Sequence, residues 1–94
     1  MSDSAEFKEK LEAAHEFPCN YTFKLFGPNE PSFKQAALDT AKRHLPDVSP
    51  RTSSRVTGKA NHQCVTMELP VLSAQQVVDL YEDFHKLDGL KMLL

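Results

Sequence analysis

Only one stretch of this chain gathers several residues suited to chemistry: Ser53-Ser54-Arg55-Val56-Thr57-Gly58-Lys59. Hydroxyls, two cations and the free N–H groups of a glycine turn are the components of an anion site. Ser54, Arg55 and Lys59 are the candidate ligand-binding residues, and Arg51, Lys42 and Arg43 would widen the basic surface around them. A phosphate or nucleic acid held there would be released steeply by salt. The competing reading is an edge strand and hairpin whose charges keep one sheet from pairing with another. No histidine–acid pair can be assigned to Ser53 or Ser54, so the stretch offers no activated nucleophile.

The metal-ligating residue types are dispersed. His15 and Cys19 are four apart, but Pro18 interrupts any helix that would align them. His62 and Cys64 share a strand face, yet two ligands without a third do not make a zinc site. His44 and His85 fall near helix ends, where an imidazolium complements the helix dipole. A Cys19–Cys64 disulfide is disfavoured. The two cysteines begin strands that should run antiparallel, which places them roughly 20 Å apart, against a limit of about 7 Å between bridged Cα atoms. The expectation is two free thiols, no metal, no cofactor and no catalytic residue.

Those residues must be positioned by a small scaffold. Ninety-four residues suffice for one domain and leave no room for a second core. No apolar run approaches the roughly 18 residues of a membrane span, and Met1-Ser2-Asp3-Ser4 lacks the basic and apolar regions of a signal peptide. A cytoplasmic protein with no membrane partner is expected. The net charge of −2 hides a division: residues 1–16 carry Asp3, Glu6, Glu9, Glu12 and Glu16 against two lysines, whereas 42–59 carries five cations against Asp47 alone.

The organising signal is a repeat. Tyr21 to Phe26 alternates and is followed by Ser32 and Gln35; Cys64 to Val71 alternates and is followed by Ser73 and Gln76, 41 positions later. Ser-x-x-Gln is a helix start in which serine accepts from an early N–H and glutamine reaches back to the serine N–H. Tyr21, Phe23 and Leu25 should face inward, with Thr22, Lys24 and Phe26 outward. The helix from Ser32 to about Leu45 should bury Phe33, Ala36, Ala37, Thr40 and Ala41. Val48 to Val56, which contains Pro50, suits an edge strand, and Thr57 to Asn61 a hairpin. Val65, Met67, Leu69 and Val71 should face inward, and Cys64, Thr66 and Glu68 outward, where Glu68 could pair with Lys24. The helix from Ser73 to about Leu87 should bury Val77, Leu80, Tyr81 and Phe84, with Gly89 at its C′ position. Leu90 to Leu94 forms a last strand with Leu90, Met92 and Leu94 inward.

The sum is an α+β, ferredoxin-like βαββαβ sandwich. Its four-stranded antiparallel sheet has the order 4-1-3-2, and both helices lie on one face. A further amphipathic helix, residues 1–16, is capped by Asp3 or Ser4 and carries the stripe Phe7, Leu11 and Ala14; Phe17-Pro18 ends it before the domain at 17–94. Many functions share this scaffold. RNA recognition needs outward aromatics on the central strands, and Cys64, Thr66 and Glu68 do not supply them. A metal chaperone needs a Cys-x-x-Cys loop and an acylphosphatase an arginine in the loop after strand 1. Gly27-Pro28-Asn29-Glu30-Pro31 has neither.

Phe17-Pro18-Cys19-Asn20-Tyr21-Thr22-Phe23-Lys24-Leu25-Phe26-Gly27 resembles the opening of the YbeD-like family of small bacterial proteins. So does the close, through Leu80-Tyr81-Glu82 and Leu90-Lys91-Met92-Leu93-Leu94. The likeness spans about residues 11–94. The middle departs: the hairpin is slightly longer, and His62 stands where the family has an aromatic. The resemblance implies a ferredoxin-like fold akin to ACT-type regulatory domains, and it supplies no catalytic residues. The resulting expectation is a non-enzymatic regulatory or interaction module. Its partner would be a protein or small effector, or a second copy in a homo-oligomer, met at a sheet edge or on the open face through Phe26 and Leu93. The alternative is an anion or nucleic-acid binder built on 42–59, nucleic acid being the less favoured ligand.

Overall fold

The computed structural model describes residues 2–94, with side chains from residue 5 onward. Its elements run α1 (Ser2–Ala14), β1 (Cys19–Pro28), α2 (Pro31–His44), β2 (Arg51–Thr57), β3 (His62–Val71), α3 (Ala74–Phe84) and β4 (Met92–Leu93). The strands form one antiparallel sheet in the order β2-β3-β1-β4, an α+β architecture consistent with the ferredoxin-like fold. β1 and β3 pair along ten residues, from Cys19 opposite Val71 to Pro28 opposite His62. Alternation then sends Phe23, Leu25, Val65, Met67, Leu69 and Val71 to one face, and all six are fully buried. Burial of each large apolar side chain contributes about 1.5–3 kcal/mol.

α2 and α3 close that face. Phe33, Ala37, Thr40 and Ala41 are buried on α2; Ala74, Val77, Val78, Leu80 and Phe84 are buried on α3. α1 adds Leu11, 4% exposed, to the core, and Phe7 packs edge-on against Tyr81 with ring centres 5.4 Å apart. The expected third member of its stripe, Ala14, is exposed, because α1 ends there and the chain turns away. Asp3 and Ser4, the expected caps, lie outside the residues whose side chains are described. Phe7, Tyr21, Phe23, Tyr81 and Phe84 form a chain of edge-on and tilted rings. The Tyr21 and Tyr81 hydroxyls meet at 3.2 Å. Burial, with that hydrogen bond second, pushes the Tyr81 phenol above its ordinary range.

The two expected helix starts differ in outcome. Ser73 caps α3, its Oγ accepting from the Gln76 N–H at 3.2 Å, but Gln76 Oε1 reaches past it to accept from the Leu72 N–H at 2.8 Å. α2 has no such cap. Glu30 holds the cap position and Pro31 opens the helix, since its fixed φ suits the first turn and an N–H there would have no partner. Ser32 therefore sits inside the first turn, and Gln35 donates to Asp39 at 2.9 Å instead.

The C-terminal end corrects the expected register. α3 stops at Phe84, three residues short of Leu87, and turns follow. Gly89 occupies a left-handed turn (φ 82°) beyond the helix rather than its C′ position, and a Cβ there would lie 2.9 Å from Pro28. The strand then enters with Leu93 opposite Leu25 and Met92 opposite Phe26. Leu93 thus packs on the core, while Met92 (48%) and Leu94 (57%) are exposed, the inverse of the expected facing. A one-residue shift in strand entry exchanges the faces of every side chain. β2, the edge strand, is likewise shorter than expected, starting at Arg51, directly after Pro50.

Gly27 faces inward at the end of β1, and a Cβ on it would run into the Phe33 ring, itself only 4% exposed. The ring has nowhere to retreat. Gly27→Ala is expected to cost about 1–3 kcal/mol through overpacking, seen as a lower urea midpoint at unchanged slope; an unchanged midpoint would contradict this packing.

α2 and α3 are also tied by His44 Nε2 to Asp83 Oδ2 at 2.6 Å, with Lys86 Nζ 3.4 Å from the other carboxylate oxygen. The His44 hydrogen bond, aided by Lys86, holds the Asp83 carboxyl below its ordinary value of 3.8. A carboxyl depressed on folding stabilises the fold above its unfolded value and loses that contribution as pH falls through the folded one. The stability gap between wild type and Asp83→Asn should therefore be full near about pH 6 and close toward about pH 2. A gap constant with pH in chemical denaturation would show that the carboxylate charge plays no part.

Candidate functional site

One sheet face carries the helices; the other is open, and the strand registers order its side chains into rows. Met92, Phe26, Cys64 and Arg55 form one row from β4 to β2. The next holds Lys24, Thr66 and Ser53, with Leu94 joined to Lys24 by two backbone hydrogen bonds of 2.8 and 2.9 Å. A third holds Thr22, Glu68 and Arg51. The expected Glu68–Lys24 pair is therefore displaced: Glu68 stands between Thr22 and Arg51, while Lys24 stands opposite Thr66.

The first two rows enclose a depression of about 250 Å³ lined by Lys24, Phe26, Ser53, Ser54, Arg55, Cys64 and Thr66. Lys24 and Arg55 approach it from opposite sides of β3. Ser53 and Thr66 supply hydroxyls, and Cys64, 7% exposed, forms its floor between Phe26 and Arg55. No carboxylate lines it. Cations on two sides and hydroxyls between them suit a carboxylate or phosphate group. A larger groove of about 440 Å³ lies between α1, α3 and β4, lined by Phe7, Val78, Tyr81, Glu82, His85, Leu93 and Leu94. It has more volume but no convergent donors of one kind.

Of the residues singled out in the sequence, Arg55 lies on the open face. Ser54 takes the opposite face of β2, as an adjacent strand residue must, and its Oγ lies 3.5 Å from Lys34 Nζ on α2. Lys59 sits in the β2–β3 turn at φ 57°, beyond the end of β2. Lys42 and Arg43 are in the last turn of α2, on the far layer of the molecule. The basic segment is thus split among three surfaces. Lys24, Ser53 and Thr66 complete the depression; their outward facing is legible in the alternation, but their adjacency depends on a register that one strand alone does not disclose. Cys19 and Cys64 are free thiols on opposite faces, and among the described residues no three His, Cys, Asp or Glu side chains converge.

The hairpin that borders this face is anchored. Gln63, 6% exposed, donates through Nε2 to the carbonyls of Pro28 at 3.0 Å and Glu30 at 2.9 Å. Asn29 Nδ2 donates to the Ala60 carbonyl at 3.0 Å and its N–H to Asn61 at 3.1 Å. The loop after β1 and the β2–β3 turn are thereby one clasp.

Residues 12–94 match the family described as a protein of unknown function, DUF493. This chain belongs to that family. UPF0250 proteins of Vibrio parahaemolyticus and Sodalis glossinidius are each 33% identical to it, over 86 and 88 residues. The first match covers 90% of this chain and 91% of the relative, the second 93% and 99%. The UPF0250 protein of Yersinia pestis is 32% identical over 88 residues. The YbeD-like resemblance read from both ends of the chain therefore holds along nearly all of it, and none of these names carries a catalytic description. In this DUF493 domain, no described helix is long and apolar enough to cross a membrane.

The clasp makes its own prediction. Gln63→Leu would leave the Pro28 and Glu30 carbonyls with one backbone donor each, the N–H groups of Glu30 and Phe33, a loss of about 0.5–1.5 kcal/mol per hydrogen bond removed. It should also raise amide exchange in residues 29–33 above that at the sheet centre. Equal exchange in wild type and variant would mean that water satisfies these carbonyls as well as glutamine does.

Proposed function

We propose that this DUF493 domain is a non-catalytic regulatory module that holds a small anionic effector, a carboxylate or phosphate, on its open sheet face. The observation that carries the reading is the convergence of Lys24 and Arg55 on a depression floored by Cys64 and bordered by Ser53 and Thr66. The likeness to ACT-type effector domains supports it by analogy, and two free thiols agree with action in the cytoplasm. Exposed Met92 and half-buried Phe26 opposite it give the β4 side of this face an apolar strip. That strip is where a regulated protein would sense whether the depression is filled. Nucleic acid is less favoured, because Phe26 is the one Phe, Tyr or Trp on the open face of β1 and β3, with His62 at the strand end the only other ring there.

The test is thermal unfolding in inorganic phosphate and in succinate at constant ionic strength. Phosphate salts raise stability generally by exclusion from the surface, so the comparison is with Lys24→Glu plus Arg55→Glu. Site binding at 100 times the dissociation constant stabilises wild type by about 2.7 kcal/mol, and the double variant should lose that increment. Equal responses from both proteins would remove the effector reading.

A further inference from the structure

We infer that the free edge of β2 is a docking strand for an extended, acidic segment of another protein. β2 is the outermost strand and pairs with β3 alone, so one row of its backbone donors and acceptors has no strand partner. Its seven residues are long enough to guide an added strand through several hydrogen-bonded pairs, the mode in which backbone gives affinity and alternate side chains give specificity.

Charge selects the partner. Residues 51–61 contain Arg51, Arg55 and Lys59 and no Asp or Glu. Arg51 and Arg55 lie on the open side, and Lys34 reaches the helix side at Ser54. The one carboxylate in register with β2 is Glu68, opposite Arg51. An added strand would therefore pass a cation with both sets of its alternating side chains. Val56, 53% exposed on the helix side, offers an apolar neighbour at the end of the same edge. A second copy is a poor occupant: pairing two β2 strands would gather the arginines of both copies along one seam, and like charges across strands are destabilising. An acidic strand reverses the sign of every one of these contacts.

This inference is separate from effector binding, and the two are distinguished by Lys34 and Lys24. The probe is a labelled, end-blocked peptide, Glu-Glu-Thr-Val-Glu-Glu-Thr, whose acids fall on both faces of an extended strand, followed by fluorescence anisotropy and by amide exchange of β2. Binding should protect β2 amides and weaken with salt. It should fall about tenfold or more when alternate peptide nitrogens on the bonding edge are methylated. Lys34→Glu should weaken it roughly threefold or more while leaving the phosphate response intact; Lys24→Glu should do the reverse. Equal binding of the methylated peptide, indifference to Lys34→Glu, no binding at millimolar peptide, or β2-mediated dimers in sedimentation would each overturn the inference.

Discussion

The ten-residue pairing of β1 with β3 is the constraint on which everything else in this molecule depends. Once Cys19 stands opposite Val71, parity assigns every later residue of both strands to a face. The inner residues become a continuous apolar surface that two helices must cover. The outer ones become Thr22, Lys24, Phe26, Cys64, Thr66 and Glu68, a surface no element covers. Slipping β3 by one residue against β1 would turn Val65, Met67, Leu69 and Val71, each fully buried now, to the open face and bury Thr66 and Glu68. Losing four apolar burials at about 1.5–3 kcal/mol each is comparable to the whole stability of an ordinary domain, about 5–15 kcal/mol. The register, and with it the composition of the open face, is therefore fixed by the core rather than by the site.

The helices extend the same logic. Phe33 lies over Gly27, a position without a side chain, which sets how closely α2 approaches the end of β1. α3 meets the sheet through Val77, Leu80 and Phe84, and its outer shoulder, Tyr81, receives Phe7 from α1. α1 is thus an extension of the core built on a half-buried tyrosine, whose hydroxyl is satisfied by Tyr21. The His44–Asp83 contact fastens the two sheet-covering helices to each other at their solvent rim.

Period-two alternation in Tyr21–Phe26 and Cys64–Val71, and helical spacing in Phe33–Ala41 and Val77–Phe84, are strong local signals. They carry the strand order and the inner face directly. What they miss is relational. β4 presents only two ladder residues, and its facing is decided by how the turn around Gly89 delivers the chain, which no alternation within Leu90–Leu94 can reveal. The first Ser-x-x-Gln pattern competes with Pro31 for the helix start, and proline wins because it is already in helical geometry. Gln63 reads as a polar residue before a strand; its role appears only when the Pro28 and Glu30 carbonyls are brought over it. The candidate site behaves likewise. Ser54 and Arg55 are adjacent in sequence but send their side chains to opposite faces of β2, whereas Lys24, remote in sequence, faces the depression with Arg55.

The energetics of that depression set what kind of ligand it can serve. Lys24 and Arg55 sit two strand spacings and two residues of rise apart, roughly 12 Å between backbones, at which two exposed like charges repel by only about 0.35 kcal/mol in water. The fold can keep both cations on one face at little cost. An anion midway, roughly 6 Å from each, gains about 0.7 kcal/mol per contact under the same screening, and physiological salt reduces even that. Charge alone therefore gives weak, undiscriminating attraction. Selectivity must come from the two hydroxyls, Ser53 and Thr66, and from exclusion of water above the nearly buried Cys64. A ligand that fills the space between Phe26 and Arg55 dries these contacts and strengthens them together, whereas a free ion that leaves water in the depression does not. The chemistry best matched to this face is an anionic group carried on a body large enough to seal it.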